Sequence, residues 1–361
     1  MGGSERVLLT ICGELKRRGH DVLVYTRRIS PKPEYPVPAG IERRVFSTPG
    51  HVRRLFRGIP SHGFMRRYRT NRALLLSQDP DVLLAFGVQA AVRVLFYTFG
   101  CKTPVVVSER NNPSAKSLAL GIRVLRRLLY KRAASLVLVS NNMVQYFRYL
   151  PSERVQVIHN AAPDLECTAD SRDGGNGPLR LVSMGRMVPQ KGFDLLLQAF
   201  AQLRLTVSDV HLTIIGDGPE RDRLRHLVSR LDLDDAVVFA GIVGQPQDIL
   251  CKSDVFVLSS RFEGFPNVLL EALACELPVV SFDCPTGPSE IVIPGINGIL
   301  VEAENVKQLS AVLREVCTDR SLQGKLAAGA RSSLRRFEYA TIMRLWERAL
   351  LNASGQGSRV S

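Results

Sequence analysis

From Leu179 to Glu302 the apolar residues fall into short continuous runs separated by segments with helical spacing. "LRLVSMG" predicts a buried strand, and "FDLLLQAFAQL" sets Leu195, Leu196, Ala199, Phe200 and Leu203 on one side of a helix. The alternation continues through "VHLTIIGDG", the polar-faced "ERDRLRHLVSRL", "AVVFAG", the short helix "PQDILCKS" and "VFVLSS". It ends with a helix in "EGFPNVLLEALACE", the strand "LPVVSFD", a turn at "PSEIV" and the strand "NGILVE". Strands apolar along their whole length, each followed by a helix, specify a parallel sheet covered on both faces.

The first half repeats the rhythm. It predicts helix 4–18, strand "DVLVYT", helix 67–78, strand "VLLAFG", helix 90–98, strand "PVVVSE", helix 122–132 and strand "LVLVSN". The fold class is therefore α/β, with two Rossmann-like, doubly wound parallel-sheet domains facing across a cleft. Ligands of such sheets bind beyond the carboxyl ends of the strands. One element is missing. The first helix starts directly after Met1, Gly2 and Gly3, where a doubly wound sheet has its central first strand. The chain is thus expected to be an N-terminally incomplete version of a longer protein. An apolar, β-branched extension of roughly ten residues or more would lie upstream.

Length and charge support two domains. The chain has 361 residues, enough for two domains of ~150 each. Its net charge is +14. Residues 1–170 hold 27 Lys+Arg against 12 Asp+Glu, and residues 171–361 hold 21 against 22, so one half is strongly basic and the other nearly neutral. The change falls at the Gly-rich "DSRDGGNGP". The expected division is a basic domain at 1–168, a linker at 169–178, a second domain at 179–340, and a C-terminal helix with a disordered tail at 341–361. That helix is expected to pack back on the first domain.

The cysteines Cys12, Cys101, Cys167, Cys251, Cys275, Cys284 and Cys317 show no paired spacing. This predicts no disulfide, mostly core-filling thiols and a reducing cytosol. The most apolar window, from Val82 to Gly100, contains Gln89 and Arg93 and is broken by glycines. It reads as a strand and a helix, not a membrane span. No signal peptide precedes the first helix.

Chemistry concentrates in two stretches. In "EGFPNVLLEA", Glu263 and Glu271 flank a helix start at Pro266, which has no amide hydrogen and a preset φ. A helix N-terminus offers unpaired amides and partial positive charge, which attract phosphate. In "SMGRMVPQKG", Arg186 and Lys191 follow a strand and precede a helix, as a clamp for pyrophosphate does. Taken alone, each of these residues also reads as an ordinary surface charge. "LDLDD" contains Asp232 and Asp234, but at the amino end of a strand, so it reads as a surface turn. "GDGP" has only two of the three glycines of a dinucleotide loop. Gly216 and Gly218 fit a close backbone approach to a bound ligand better.

Together the stretches resemble the retaining glycosyltransferases of family 4, which have the GT-B fold. The family's R-x4-K pair is found at Arg186 and Lys191, and its E-x7-E pair at Glu263 and Glu271. "GDGP", "FAG", "NGILV" and, in the first half, "GGSERVLLTICGELKRRGHDVLVYT" and "VQVIHNAAPD" match as well. The resemblance covers nearly the whole chain. It implies an acceptor-side first domain and a second domain that binds a nucleotide-sugar donor, expected to be a UDP-sugar. Arg186 and Lys191 would hold the diphosphate, Glu263 the transferred sugar and Glu271 the ribose. Gly264, Phe265, Pro266, Asn267 and Val268 would line the donor between the glutamates, with Gly2 and Gly3 from the family's glycine-rich loop. The two cations stabilise the leaving diphosphate, so no metal and no cofactor are expected. Two departures stand out. Many members carry a His after a strand like "PVVVSE"; here the chain reads "SERNNP", so Arg110 or Asn111 is expected to fill that space. The family's first strand is also missing.

The basic charge has its own pattern. His51 to Arg72 contains seven arginines and no acid, interleaved with large apolar residues; Arg53, Arg54, Arg57, Arg66, Arg67 and Arg69 are expected to face a membrane. A second cluster comprises Arg123, Arg126, Arg127, Lys131 and Arg132. Such a mixture suits an anionic lipid surface. Nucleic acid is the rival partner, but no binding motif accompanies the charge, and none is expected to bind. The expectation is a monomeric enzyme, peripheral on the cytoplasmic face of a bacterial inner membrane. It would transfer a sugar to a polyprenyl-diphosphate-linked or other saccharide acceptor. The alternatives are a non-catalytic binding or scaffold protein, a truncated inactive form, and a phosphorylase or epimerase of the same fold.

Overall fold

The computed structural model describes residues 3–26, 36–46, 62–113, 119–165, 167 and 177–356. Gly2, Arg53, Arg54, Arg57, most of the expected linker and the final five residues lie outside the described residues. The chain divides into two compact units, Met1–His159 with Ile342–Ser361, and Asn160–Thr341. The division falls at His159, ahead of the Gly-rich stretch.

The first unit contains α1 (Gly3–Arg17), β1 (Leu23–Thr26), β2 (Glu42–Val45), α2 (His62–Leu76) and β3 (Leu83–Phe86). It continues with α3 (Val88–Tyr97), β4 (Val105–Glu109), α4 (Leu120–Leu129), β5 (Ser135–Leu138) and β6 (Val155–Val157). All strand pairings are parallel, but they form two sheets: β1-β2, and β3-β4-β5-β6. No ladder joins β1 to β3 among the described residues. The apolar window from Val82 resolves into β3 and α3, and no described helix is long and apolar enough to cross a membrane.

The second unit is a single parallel sheet with its helices. It comprises β7 (Leu179–Met184), α5 (Phe193–Arg204), β8 (Val210–Ile215), α6 (Arg221–Arg230), β9 (Val237–Gly241), α7 (Gln247–Leu250) and β10 (Val255–Leu258). Then come α8 (Asn267–Ala274), β11 (Val279–Asp283), α9 (Pro288–Ile291), β12 (Gly298–Glu302), α10 (Val306–Thr318) and α11 (Arg320–Ser332). The strand order is β12-β11-β10-β7-β8-β9. The chain builds outward from β7 to β9, then crosses over and builds from β10 to β12. Continuous apolar strands make this possible, since every residue of β10 is buried. Phe200, Leu196, Leu212, Val255, Val280 and Leu313 fill the core between sheet and helices. Asn305 and Asp319 cap α10 and α11 by accepting from the amides of Gln308 and Leu322.

The last helix, α12 (Tyr339–Ser354), belongs in its larger part to the first unit. Trp346 is buried, 6.1 Å between ring centroids from Phe86. Glu347 accepts from Arg18 Nη1 at 2.5 Å and lies 2.8 Å from His20 Nε2.

One cysteine expectation fails. Cys167 and Cys251 are disulfide-bonded, although 84 residues separate them. Spacing could not reveal a pair whose two members meet only when α7 folds onto the segment before β7. Of the five free cysteines, Cys12, Cys275, Cys284 and Cys317 are buried. Burial pushes the Cys12 thiol up to about 11, and Cys284 and Cys317 to about 12. These three thiols are un-ionised core residues.

Candidate functional site

The strand order reverses between β7 and β10, which are neighbours in the sheet. At such a point the connections from adjacent strands diverge and leave a crevice at the carboxyl edge. Arg186 and Lys191 lie after β7, and Glu263 after β10. The topology therefore brings together residues more than seventy positions apart.

The two loops are joined by backbone and side-chain bonds. After β7, Pro189–Lys191 make a 3₁₀ turn that Gly192 closes in the left-handed region, φ 61°. Arg261 donates its amide to the Gln190 carbonyl at 2.8 Å, and Gln190 Nε2 donates to the Phe262 carbonyl at 2.8 Å. Ser259 Oγ donates to the Lys191 carbonyl at 3.0 Å. The Arg261 guanidinium donates to the Pro189 carbonyl at 2.7 Å and forks onto Asp194 at 2.9 and 2.8 Å. Burial alone raises the Asp194 carboxyl, but Arg261 outweighs it and holds the group below the usual carboxylate range. A Cβ on Gly192 would run into the Ser259 carbonyl. The loop after β7 can thus lie flat on the loop after β10 only with glycine there.

Glu263 sits at the centre of this arrangement. It is buried, and its Oε1 accepts from Lys191 Nζ at 2.5 Å and Ser260 Oγ at 2.6 Å. Its backbone carbonyl accepts from Thr286 Oγ1 in the loop after β11. Gly264, Phe265 and Pro266 are buried, and Phe265 meets Phe337 edge-on at 5.5 Å. Pro266 occupies the N-cap of α8, one position earlier than expected. Asn267 and Val268 are half-buried in the first turn, and Asn267 Oδ1 accepts from Asn160 Nδ2. Glu271, fifth in α8, is buried. A buried helix carboxylate sets aside the reading of Glu271 as a surface charge. Arg186 is exposed, and its side chain makes no hydrogen bond or ion pair among the described residues.

Gly216 and Gly218 also face protein backbone at close range. A Cβ on Gly216, φ 128°, would collide with the Gly185 carbonyl, and one on Gly218 with the Met187 carbonyl. The close approach is between the loops after β8 and β7, which seats the Arg186 segment. Asp232 and Asp234 are exposed in the turn after α6, with Asp234 accepting from Ser229 Oγ at 2.8 Å.

In the first unit, Arg110 is buried, with its guanidinium 4.9 Å from the centroid of the Phe86 ring. Burial lowers its pKa to about 9. Asn111 is exposed, so the two candidates face different surroundings. Glu109, beside them, is buried, accepts from Tyr130 Oη at 2.6 Å, and is raised by burial. Gly3 begins α1. Sequence reasoning stopped at the charged motif and missed Ser260, Arg261, Asp194 and Thr286, which hold that motif in place. "SSRFEG" offered a signal: three polar residues directly after a strand buried on both faces.

Two family models cover most of the chain. One described as "Glycosyltransferase Family 4" matches residues 1–163, and one described as "Glycosyl transferases group 1" matches residues 171–333. Among curated relatives is the Campylobacter jejuni N-acetylgalactosamine-N,N'-diacetylbacillosaminyl-diphospho-undecaprenol 4-alpha-N-acetylgalactosaminyltransferase. It is 31% identical over 258 residues, covering 68% of this chain and 69% of the relative. The amylovoran biosynthesis glycosyltransferase AmsD of Erwinia amylovora is 25% identical over 349 residues, covering 96% and 95%. The crystal structure of Anabaena HepE in complex with UDP and glucose matches with a TM-score of 0.77 at 21% identity, covering 97% of this chain and 96% of that one. At that identity the match shows the fold. The chain belongs to glycosyltransferase family 4 and is a glycosyltransferase of the GT-B fold.

Proposed function

We propose that this enzyme moves a sugar from a UDP-sugar to a polyprenyl-diphosphate-linked or polysaccharide acceptor, with retention of anomeric configuration and without a metal. The observation that carries the reading is the Lys191–Glu263 pair at the carboxyl edge of β7 and β10, with Arg186 exposed on the same loop. Two cations of this kind suit a diphosphate, Arg as a fork and Lys as a point charge. As the anomeric C–O bond breaks, negative charge grows on the departing nucleoside diphosphate, and fixed cations oppose it without a metal. The amino end of α8 adds partial positive charge. Glu263 grips the transferred sugar, and Glu271 the ribose. The acceptor oxygen attacks from the face the leaving group vacates. The Campylobacter relative is named for a diphospho-undecaprenol acceptor and AmsD for amylovoran biosynthesis, which supports the acceptor class.

The proposal includes a monomer docked on the cytoplasmic leaflet. Arg66, Arg67 and Arg69 are exposed on α2. On α4, Leu120, Val124 and Leu128 are exposed at four-residue intervals, with Arg123 and Arg127 exposed beside them. A nucleotide-sugar panel read by thermal shift tests the donor, since a ligand that binds only the folded state raises Tm. UDP-sugars are expected to shift Tm, and transfer by the chain with its Cys167–Cys251 bond intact is expected to persist in chelator, with the product keeping the donor's anomeric configuration. Inversion, loss in chelator, or a shift with another nucleotide alone overturns the corresponding part.

A further inference from the structure

A second cluster of reactive side chains lies at the other end of α8. Cys251 is the C-cap of α7, Cys275 is the C-cap of α8, and Cys167 lies in the segment before β7. The sulfurs of all three lie within 4.8 Å of one another. Cys275 is fully buried, Cys251 is buried and Cys167 is half-buried. The Arg331 guanidinium donates to the Leu165 carbonyl at 3.2 Å, which anchors the segment that carries Cys167.

The surroundings favour a cation over a free thiolate. Reactive thiolates sit in electropositive places, commonly at helix N-termini. Cys251 and Cys275 sit at helix C-termini, the end that carries partial negative charge. Cys167 Sγ lies 3.9 Å from the Cys275 carbonyl oxygen, so that negative end faces the cluster. We propose that, once the Cys167–Cys251 bond is reduced, Cys167, Cys251 and Cys275 bind one zinc ion as a three-thiolate site. Zn–S bonds of ~2.3 Å in a tetrahedron set sulfurs about 3.8 Å apart, which these three reach with small side-chain shifts. A dithiol gives two electrons and two protons to the Cys167–Cys251 bond and leaves as its own disulfide. Zinc then displaces three thiol protons to solvent and keeps its fourth position for water on the Cys167 side. The eight-residue α8 rises about 12 Å, so this ion stands away from Glu263 and takes no part there. It ties three junctions together: the segment before β7, the α7–β10 turn and the α8–β11 turn.

The test uses the full chain, reduced with a dithiol that is then removed, and zinc alone as the probe. One zinc per chain is expected after gel filtration, with Cys101→Ser unchanged. Cys275→Ser is the deciding variant because it leaves Cys167 and Cys251 in place; retained zinc is expected to fall at least tenfold. Retention equal to the unsubstituted chain overturns the site. Cobalt substitution of the unsubstituted chain gives an answer free of folding effects. Thiolate-to-cobalt charge-transfer absorption is expected, and its absence overturns the proposal.

Discussion

Glu263 and Lys191 neutralise one another across 2.5 Å, so each fixes the other's position before either meets a substrate. Replacing either has two consequences that different measurements separate. Lys191→Ala removes a cation from the leaving diphosphate, and kcat is expected to fall about 10²–10³-fold. Arg186→Ala is expected to weaken nucleoside diphosphate binding. Because both cations serve one diphosphate, the double variant should cost less than the sum of the singles. Full additivity in kcat/KM would assign them to separate sites. Glu263→Gln keeps the shape and one acceptor oxygen for Ser260 Oγ, so the fold should survive while transfer is lost. Near-normal turnover in that variant would sink the sugar-gripping role. Asp194 acts one step back, through Arg261. Its carboxyl is held below the usual range, so its stabilising effect is present above the unfolded value of ~3.9 and is lost as pH falls through the lower folded value. The Tm gap between the unsubstituted chain and Asp194→Asn should therefore be open at neutral pH and close below about pH 4. A gap that widens in acid contradicts the ion pair as its cause.

The elements that hold the site are mostly loops, and their accuracy rests on glycines at contacts. Gly192 and Gly241 both have positive φ, 61° and 71°. A Cβ at Gly241 meets nothing within 4 Å, whereas one at Gly192 strikes the Ser259 carbonyl. Gly241→Ala should cost about 1–2 kcal/mol of stability from the left-handed conformation alone. Gly192→Ala should cost more, because the loop after β7 must move off the loop after β10, and transfer should fall with it. Equal losses in chemical denaturation would mean that loop contact matters little. Here the sequence was readable in part. Apolar runs located β7, β8, β10 and β11, and two motifs located the charged loops. β2, "ERRV", went unread because two of its four residues are half-buried and two exposed, leaving no apolar alternation. The contacts of Gly216 and Gly218 with the loop after β7 are not legible, because no spacing tells which backbone segment will come close. Arg110 reads as a polar loop residue, yet it is buried over Phe86, a contact between segments that only the sheet brings together.

At the scale of the whole molecule, the charge of the first 170 residues and the exposed face of α4 make one prediction in two separable parts. Leu120, Val124 and Leu128 are 73%, 49% and 57% exposed, a repeat of four that keeps them on one side of the helix. Each would gain up to about 1.5–3 kcal/mol if fully buried in an apolar phase. Exposed cations add about 1 kcal/mol each near an anionic surface, and that part decays within a Debye length, ~8 Å at physiological salt. The two contributions respond oppositely to conditions. Neutralising Arg66, Arg67, Arg69, Arg123 and Arg127 to Gln should abolish the preference for anionic over neutral vesicles. Changing Leu120, Val124 and Leu128 to Ser should leave that preference and the initial salt-sensitive capture, but remove the binding that persists at high salt. Co-sedimentation with vesicles of each composition, across a salt series, reads both. Transfer to a short soluble saccharide should be unaltered in either variant, since both sets lie on α2 and α4 of the first unit and the loops after β7 and β10 belong to the second. Binding that ignores lipid charge, or a serine variant that still binds at high salt, would remove α4 as the docking element and leave the basic surface as ordinary solvated charge.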